Sequence, residues 1–314
     1  MVVLYVILGI ILLLAAVLFL NAALVTSKAR KLQGQHPTFT EEALKPYGET
    51  FSRMLQPATV SVQNSYDDTE FAKLRSVVEE DFPLLHEKAE RRILADDCWM
   101  YRIPGKDPSR NILLMSHHDV VPADTDWTMP AFEGIIKDGK VYGRGAADTK
   151  CSLMAFYQAV EELIEAGVTP ACDVYLLSSC TEEIGGSGGP KLVSWFNAHN
   201  IKLFLLCDEG GSIIQDPIGG VKGHFAAVGI FEKGYGDVRF IARSSGGHAS
   251  APKANTPLAR LAKFIARVEK KNPMTSKFSP EVEEMFRRLA PYAGFPMRLV
   301  FSNLWLFKPL MKKI

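Results

Sequence analysis

Short apolar runs alternate along the chain with segments whose apolar residues recur at helical spacing. Three runs predict buried strands, at residues 111–116, 173–178 and 203–207. Helical spacing is seen at residues 151–166, 191–199 and, more weakly, 69–92. Strands that alternate with helices are typical of βαβ units. The pattern therefore predicts an α/β fold whose mainly parallel sheet is covered by helices on both faces.

The first 25 residues form a nearly continuous apolar run in which Asn21 is the one strongly polar residue. About 20 apolar residues suffice for a helix to span a bilayer core, so residues 1–25 predict a transmembrane anchor. A cleaved signal peptide is the main alternative, but no basic segment precedes the run, which is also longer than the usual apolar region of a signal. A buried helix of a soluble domain would show a polar face, and this run has none.

The side of the membrane on which the body lies stays open. Lys28, Arg30 and Lys31 follow the apolar run, and the positive-inside rule then favours a cytoplasmic body. The sequence contains no N-x-Ser/Thr sequon with a permitted middle residue, which gives no support to a glycosylated ectodomain. Residues 26–57 are polar and contain prolines, and they predict a connector to the folded part.

Composition excludes several classes of protein. The 36 basic and 35 acidic residues leave a net charge of +1, so binding to nucleic acid through bulk positive charge is not expected. The five cysteines are odd in number and show no CxxC spacing. They indicate neither a disulfide framework nor a zinc site with sulfur ligands.

Polar residues that can bind metal follow the predicted strands. They are His117, His118 and Asp119 after the first, Asp148 before the helix at 151, Glu182 and Glu183 after the second strand, and Asp208 and Glu209 after the third. Each group alone is more typical of a surface pair or a turn, but together they occupy matching positions at the carboxyl ends of strands. Carboxylates at close range repel each other unless a cation neutralises them. Imidazole with carboxylates and no thiolate suits zinc or a similar cation.

Alternation along an extended segment suggests roles for the neighbouring residues. Side chains two apart point the same way, so His117 and Asp119 face one side and His118 the other. His117 is then the predicted metal ligand, and Asp119 is placed to hold its imidazole in the right tautomer. The side chains of Glu182 and Glu183 diverge, so one can bind metal while the other acts as a general base towards a water.

Five motifs in one order carry a family resemblance. They are Ser-His-x-Asp-Val-Val-Pro, Gly-Arg-Gly-x-x-Asp-x-Lys, Thr-Glu-Glu-x-Gly-Gly, Asp-Glu-Gly-Gly and Ser-Gly-Gly-His-Ala-Ser-Ala-Pro. With them the chain resembles the ArgE/DapE/carboxypeptidase S/aminoacylase family of two-zinc amidohydrolases, and its carboxypeptidase S branch in particular. The similarity extends over about residues 71–267.

The resemblance implies a role for each motif residue. His117 would bind one zinc ion, Asp148 would bridge two, and Glu183 would bind the second. Glu182 would be the general base. A further ligand lies in Asp-Glu-Gly-Gly, where Asp208 is the assignment and Glu209 the alternative. His248 resembles the histidine that stabilises the oxyanion in this family, its alternative being a histidine of a surface loop.

The resemblance also implies the architecture and the reaction. A catalytic domain, with residues 58–220 as its first segment, would be interrupted by a smaller α+β lid domain, partly present at 221–314, through which such enzymes can dimerise. The reaction would be hydrolysis of a peptide or N-acyl amide bond beside a free carboxylate.

One departure from the family pattern is serious. The family's last zinc ligand is a late histidine, and no histidine follows His248. The chain thus resembles a truncated member. The alternative is a membrane-anchored binding module, derived from such an enzyme but without catalysis.

Overall fold

The computed structural model describes residues 1–29, 39–63, 67–94, 97–230, 234, 236–248, 250–251, 254–275 and 277–311. The helices are α1 (Val2–Ala29), α2 (Glu41–Leu55), α3 (Asp68–Asp81), α4 (Pro83–Lys88), α5 (Lys150–Glu165), α6 (Gly188–Ala198), α7 (Pro257–Lys270), α8 (Pro280–Leu289), α9 (Phe295–Ser302) and α10 (Leu304–Met311). The strands are β1 (Glu90–Ile93), β2 (Trp99–Ile103), β3 (Asp107–His117), β4 (Ile135–Lys137), β5 (Lys140–Tyr142), β6 (Cys172–Ser179), β7 (Leu203–Asp208), β8 (Ile213–Gln215) and β9 (His224–Ala226). These residues form two compact units, one between 36 and 210 and the other from 1–35 and 211–314.

The central sheet belongs to the unit between residues 36 and 210. Among the described residues it has five strands in the order β1-β2-β6-β3-β7. β6, β3 and β7 pair in parallel, whereas β2 pairs antiparallel with both β6 and β1. Four of the five strands therefore point the same way, which confirms a mixed α/β fold with a mostly parallel sheet.

Helices cover both faces of this sheet around β6, where side chains alternate between the faces. Leu176 of β6 packs on one side with residues of α2, α3, α4 and α5, including Tyr157. Its neighbours Tyr175 and Leu177 pack on the other side against Leu192 and Phe196 of α6. β6 is buried along almost its whole length, as expected of a strand covered on both faces. The prediction of a buried strand at 203–207 is wrong in one respect, because β7 lies at the end of the described sheet and is exposed along almost its whole length.

Other local features also differ from what the sequence predicts. The helical pattern at 69–92 is divided at Pro83, which begins α4 after α3 ends at Asp81, because proline lacks an N–H donor and suits the first turn of a helix. β1 and β2 were not predicted, since their polar and aromatic residues hide the apolar alternation. Within the expected connector at 26–57, Thr40 caps α2, and Met54 joins the core.

The second unit holds helices and one short hairpin. β8 and β9 pair antiparallel, and a small core forms around Val221, Leu289 and Phe301. α1 is long and apolar enough to cross a membrane, judged by length and composition. The assignments of 221–314 as a lid and of 1–25 as an anchor stay predictions.

Candidate metal centre

The ends of three strands bring the predicted site residues together. β3 lies between β6 and β7 and runs parallel to both. In this register His117 lies beside Ser179, and Met115 lies beside Asp208. The residues after these strands therefore meet at one edge of the sheet, where open α/β sheets carry their sites.

His117 is the centre of this edge, and its side chain is 2% exposed. Its Nδ1 is 2.9 Å from the backbone oxygen of Asp119 and 3.5 Å from the carboxylate Oδ1 of the same residue. Because carbonyl and carboxylate oxygens only accept, Nδ1 carries a proton, and Nε2 can bind a metal once a proton of its own is displaced. Although burial lowers it, the hydrogen bond and the negative charge of Asp119 raise the pKa of His117 to about 9.

Asp119 is fully buried, and besides orienting His117 it binds the turn that carries Glu182 and Glu183. Its carboxylate accepts hydrogen bonds from the Ser61 hydroxyl (2.6 Å) and from the backbone N–H groups of Glu182 and Glu183 (3.1 Å each). Burial alone would raise its pKa, but the nearby His117 and the hydrogen bond from Ser61 hold it below the usual range. Asp119 thus fixes the turn that carries both glutamates.

Ser61 is a contributor that sequence reasoning missed. Its backbone N–H donates to Val120 at 3.2 Å, beside a parallel bridge between Val60 and Val120. No motif marks Ser61, and only this pairing of distant segments brings it to Asp119.

The side chain of His117 faces several carboxylates through Nε2. The distances are 3.1 Å to Asp148 Oδ1, 3.6 Å to Glu209 Oε1 and 3.9 Å to Glu182 Oε2. Among the described residues, His117, Asp148 and Glu209 form a group whose ligand atoms all lie within 4.8 Å of one another.

The geometry distinguishes the two acidic residues after β7. Asp208 is the last residue of the strand and does not belong to the group of three, whereas Glu209 does. Glu209 adopts a left-handed backbone conformation with φ of 54°, which is uncommon for a residue with a side chain. The structure therefore places Glu209, the alternative, beside His117 and Asp148, and the choice between Asp208 and Glu209 as ligand stays a prediction.

Negative charge is in excess at this edge. Burial first, and then the charges of neighbouring carboxylates, raise the pKa of Glu182, Glu183 and Glu209 above the usual value, although His117 acts in the opposite direction. A divalent cation would remove this repulsion. One imidazole nitrogen with carboxylate oxygens is a donor set that such a cation accepts, so the residues present fit a metal.

Asp148 reaches the cluster from the loop before α5. The first residue of that helix, Lys150, is fully buried, and its Nζ donates to the backbone oxygens of Met54 (3.1 Å) and Pro57 (3.0 Å). Burial lowers the pKa of Lys150 to about 7. These contacts tie the loop with Asp148 to the end of α2, a role of Lys150 and of the expected connector that the sequence pattern did not indicate.

A cavity of about 360 Å³ adjoins the cluster. Asp148 and Glu183 line it together with apolar and aromatic residues, among them Trp127 and Tyr142. The guanidinium of Arg144 lies 4.8 Å from the centre of the Trp127 ring. Glu183 is thus near Asp148 and at the wall of a space that a small molecule can enter.

His118 points to the opposite side of β3 and is fully buried. Its ring stacks on Trp99 with centroids 4.2 Å apart, and its Nδ1 lies 2.6 Å from the Ser178 hydroxyl. His248 belongs to the other unit, where it is exposed and its Nδ1 lies 2.8 Å from the Ser250 hydroxyl. The catalytic role of His248 stays a prediction.

A histidine and several carboxylates at the carboxyl edge of an α/β sheet are the features of a metal-dependent hydrolase. Residues 113–296, more than half of the chain, match the family described as peptidase family M20/M25/M40. The chain belongs to this family. All five sequence motifs lie inside the matched region, so the match confirms the resemblance.

Two curated relatives illustrate the similarity. The chain is 32% identical over 311 residues to "Probable carboxypeptidase S-like 2" of Dictyostelium discoideum, covering 95% of this chain and 60% of that protein. It is 31% identical over 281 residues to the human "N-fatty-acyl-amino acid synthase/hydrolase PM20D1", covering 88% of this chain and 56% of that protein. The chain thus spans little more than half the length of these relatives.

Among solved structures, the M20 family metallo-carboxypeptidase Sso-CP2 of Sulfolobus solfataricus aligns with a TM-score of 0.43 and 26% identity, over 56% of this chain and 38% of that chain.

Proposed function

We propose that this protein is a zinc-dependent hydrolase that cleaves a peptide or N-acyl amide bond next to a free carboxylate. The observation that carries the proposal is the convergence of His117, Asp148, Glu209 and Glu182 at one edge of the sheet. Family membership supports the reaction class, and the names of the two relatives support carboxypeptidase or N-acyl-amino-acid hydrolase activity.

The donor atoms suggest how the metal would be held. His117, Asp148 and Glu209 would bind the first zinc ion, with Asp208 as the alternative to Glu209. Asp148 would also bind a second ion together with Glu183, beside which it lines the cavity. When bound, zinc supplies Lewis-acid polarisation of the scissile carbonyl and lowers the pKa of an attacking water.

Glu182 is the proposed general base. Its carboxylate lies 3.9 Å from His117 Nε2, and its backbone N–H is held by Asp119, so it is positioned beside the cluster without belonging to the group of three. It would accept a proton from the attacking water at a carboxylate oxygen and then donate it to the leaving nitrogen. His248 would stabilise the developing oxyanion, as the family resemblance implies.

The remaining parts of the proposal concern the membrane, the dimer contact and the substrate. α1 would anchor the chain in a membrane, because within its apolar stretch Val2–Val25 an 18-residue window has a mean hydropathy of 3.2 and is not buried within the structure. Residues 221–314 would form the lid and a dimer contact. The substrate would be a small peptide or an N-acyl amino acid.

The zinc-loaded protein tests the proposal through a matched pair of variants. Glu182→Gln should lower turnover of an N-acyl amino acid by about 10²–10⁴-fold, the usual contribution of a general base, while elemental analysis shows unchanged zinc. Glu183→Gln is the control and should lower the zinc content. If Glu182→Gln keeps near-normal turnover and Glu183→Gln retains full zinc but loses turnover, the two roles are reversed. If the zinc-loaded wild type binds but does not turn over such substrates, the hydrolase proposal is wrong.

A further inference from the structure

Asn21, the one strongly polar residue of the apolar run, has a specific partner. Its Nδ2 donates to Oδ1 of Asn303 at 2.8 Å. Asn303, fully buried, donates in turn from Nδ2 to the backbone oxygens of Leu18 (3.1 Å) and Leu299 (2.8 Å). The two carboxamides therefore join α1 to the junction between α9 and α10.

Apolar packing surrounds these hydrogen bonds. Phe19 of α1 stacks on Phe295 of α9, with ring centroids 5.6 Å apart, and Ala22 is only 2% exposed. A small side chain such as alanine lets two helices approach closely. A polar pair within this packing is satisfied only when the helices meet in this register.

The position of the contact along α1 sets its depth in a bilayer. The apolar stretch Val2–Val25 has 24 residues and is about 36 Å long at 1.5 Å per residue. The hydrocarbon core is about 30 Å thick. Leu18, Asn21 and Ala22 lie within about the last two turns of the stretch, so α9 and Asn303 contact α1 near the boundary between hydrocarbon and water.

Next to this contact, α9 and α10 expose large apolar side chains. Phe295 is 50% exposed, Trp305 58%, Leu306 38% and Leu310 59%. Tryptophan is enriched at membrane interfaces, where its ring lies among the headgroups. Helices with an apolar face bind there by burying that face at the boundary between headgroups and acyl chains.

We propose that α9 and α10 form a surface that enters the interfacial layer of the same bilayer that α1 spans, and that the Asn21–Asn303 pair holds them there. The inference rests on the proposed anchoring by α1. Its occupant is lipid rather than a second copy of the chain, because the exposed face is continuous with a helix apolar enough to lie in lipid.

Tryptophan quenching by brominated lipids tests this proposal. The full chain is reconstituted into phosphatidylcholine vesicles whose acyl chains carry bromine either near the carbonyl end or near the methyl end. Bromine near the carbonyl end should quench more strongly. Trp305→Phe should lose most of that quenching, whereas the matched control Trp127→Phe should keep it. Equal quenching of wild type and Trp305→Phe would overturn the proposal, as would a Trp305 signal that is shielded from aqueous iodide but insensitive to bromine, which would indicate a protein partner.

A second pair of variants tests the role of the hydrogen bonds. Asn21→Leu removes the donor to Asn303 but keeps α1 apolar, so insertion should persist while Trp305 quenching weakens. Ala16→Leu adds similar apolar volume at an exposed position of α1 and should leave quenching unchanged. Quenching that Asn21→Leu does not weaken would remove the Asn pair from the proposal.

Flotation of the vesicles after alkaline extraction separates the two proposals. If the wild-type chain does not float, the anchoring by α1 is wrong and this inference falls with it. If it floats without quenching of Trp305, only this inference is wrong.

Discussion

The two sides of β3 each present a histidine near an aspartate, and they differ in how their charges are balanced. On the His117 side, the carboxylates of Asp148, Glu182 and Glu209 lie within 4 Å of Nε2. On the His118 side, the Nε2 of the ring lies 3.8 Å from Asp97, and the negative charge there has a cationic partner.

Asp97, the acidic neighbour of His118, has partners within the protein that balance its negative charge. Its carboxylate pairs with Arg75 Nη1 at 2.5 Å and accepts from Trp99 Nε1 at 2.9 Å. Burial raises its pKa, but the nearby His118 and the hydrogen bond from Trp99 lower it more, so that it lies below the usual value. The glutamates on the His117 side have raised pKa values instead. A buried histidine with acidic neighbours thus indicates a metal site where the protein leaves negative charge uncompensated, and a structural network where it does not.

The largest expected effect is on zinc affinity, and it distinguishes Asp208 from Glu209 at the end of β7. Glu209→Gln should weaken zinc binding more than about 100-fold, since a direct ligand contributes more than the outer partners, whose loss typically costs about 10–100-fold. Asp208→Asn is the matched control and should change the affinity much less. Competition with a chelator of known affinity measures both, and the opposite order would return the assignment to Asp208.

A smaller effect on zinc affinity and turnover is expected from Asp119, whose backbone and side-chain oxygens face Nδ1 of His117. Asp119→Asn should lower zinc affinity or turnover by about 10–100-fold, because the neutral amide binds the His117 proton and the turn at Glu182 less strongly. Urea unfolding of the same variant provides the control for folding. A variant that folds normally and retains full affinity and turnover would show that the charge of Asp119 is not needed.

The smallest effect is expected for Asp97, on the His118 side of β3, and it concerns stability rather than zinc affinity. Asp97→Asn should lower the free energy of unfolding by about 1–2 kcal/mol, because the amide keeps an acceptor for Trp99 but loses the charge that strengthens its hydrogen bonds. Zinc affinity should not change. A large loss of zinc affinity would mean that the two sides of β3 are not separate in function.

The pH dependence of this variant sharpens the test. Asp97 has a folded-state pKa below its ordinary value of 3.8, so its contribution to stability is present above that pH and is lost as the pH falls through the folded-state pKa. The difference in unfolding free energy between wild type and Asp97→Asn should therefore be constant near neutral pH and shrink below about pH 4. A difference that grows in acid would contradict the assignment of the charge to Asp97.

Local patterns in the sequence were sufficient to predict three of the five described strands of the sheet and the residues that make up the candidate metal site. Apolar runs predicted β3, β6 and β7, and helical spacing predicted α5 and α6, because these periodicities depend only on neighbouring residues. The motifs placed His117, Asp119, Asp148 and the two pairs of acidic residues at the ends of these elements, since parallel strands bring the loops at their carboxyl ends to one edge of the sheet.

Tertiary structure decided the features that depend on distant partners or on a single backbone angle. Glu209, whose backbone φ is left-handed, lies in the group with His117, and Asp208 does not. The contacts of Lys150 with Met54 and Pro57, and of Ser61 with Asp119, join segments far apart in sequence. Hydrogen bonds of this kind are specified by the packed geometry, whereas strand and helix periods are specified by the local order of apolar and polar residues.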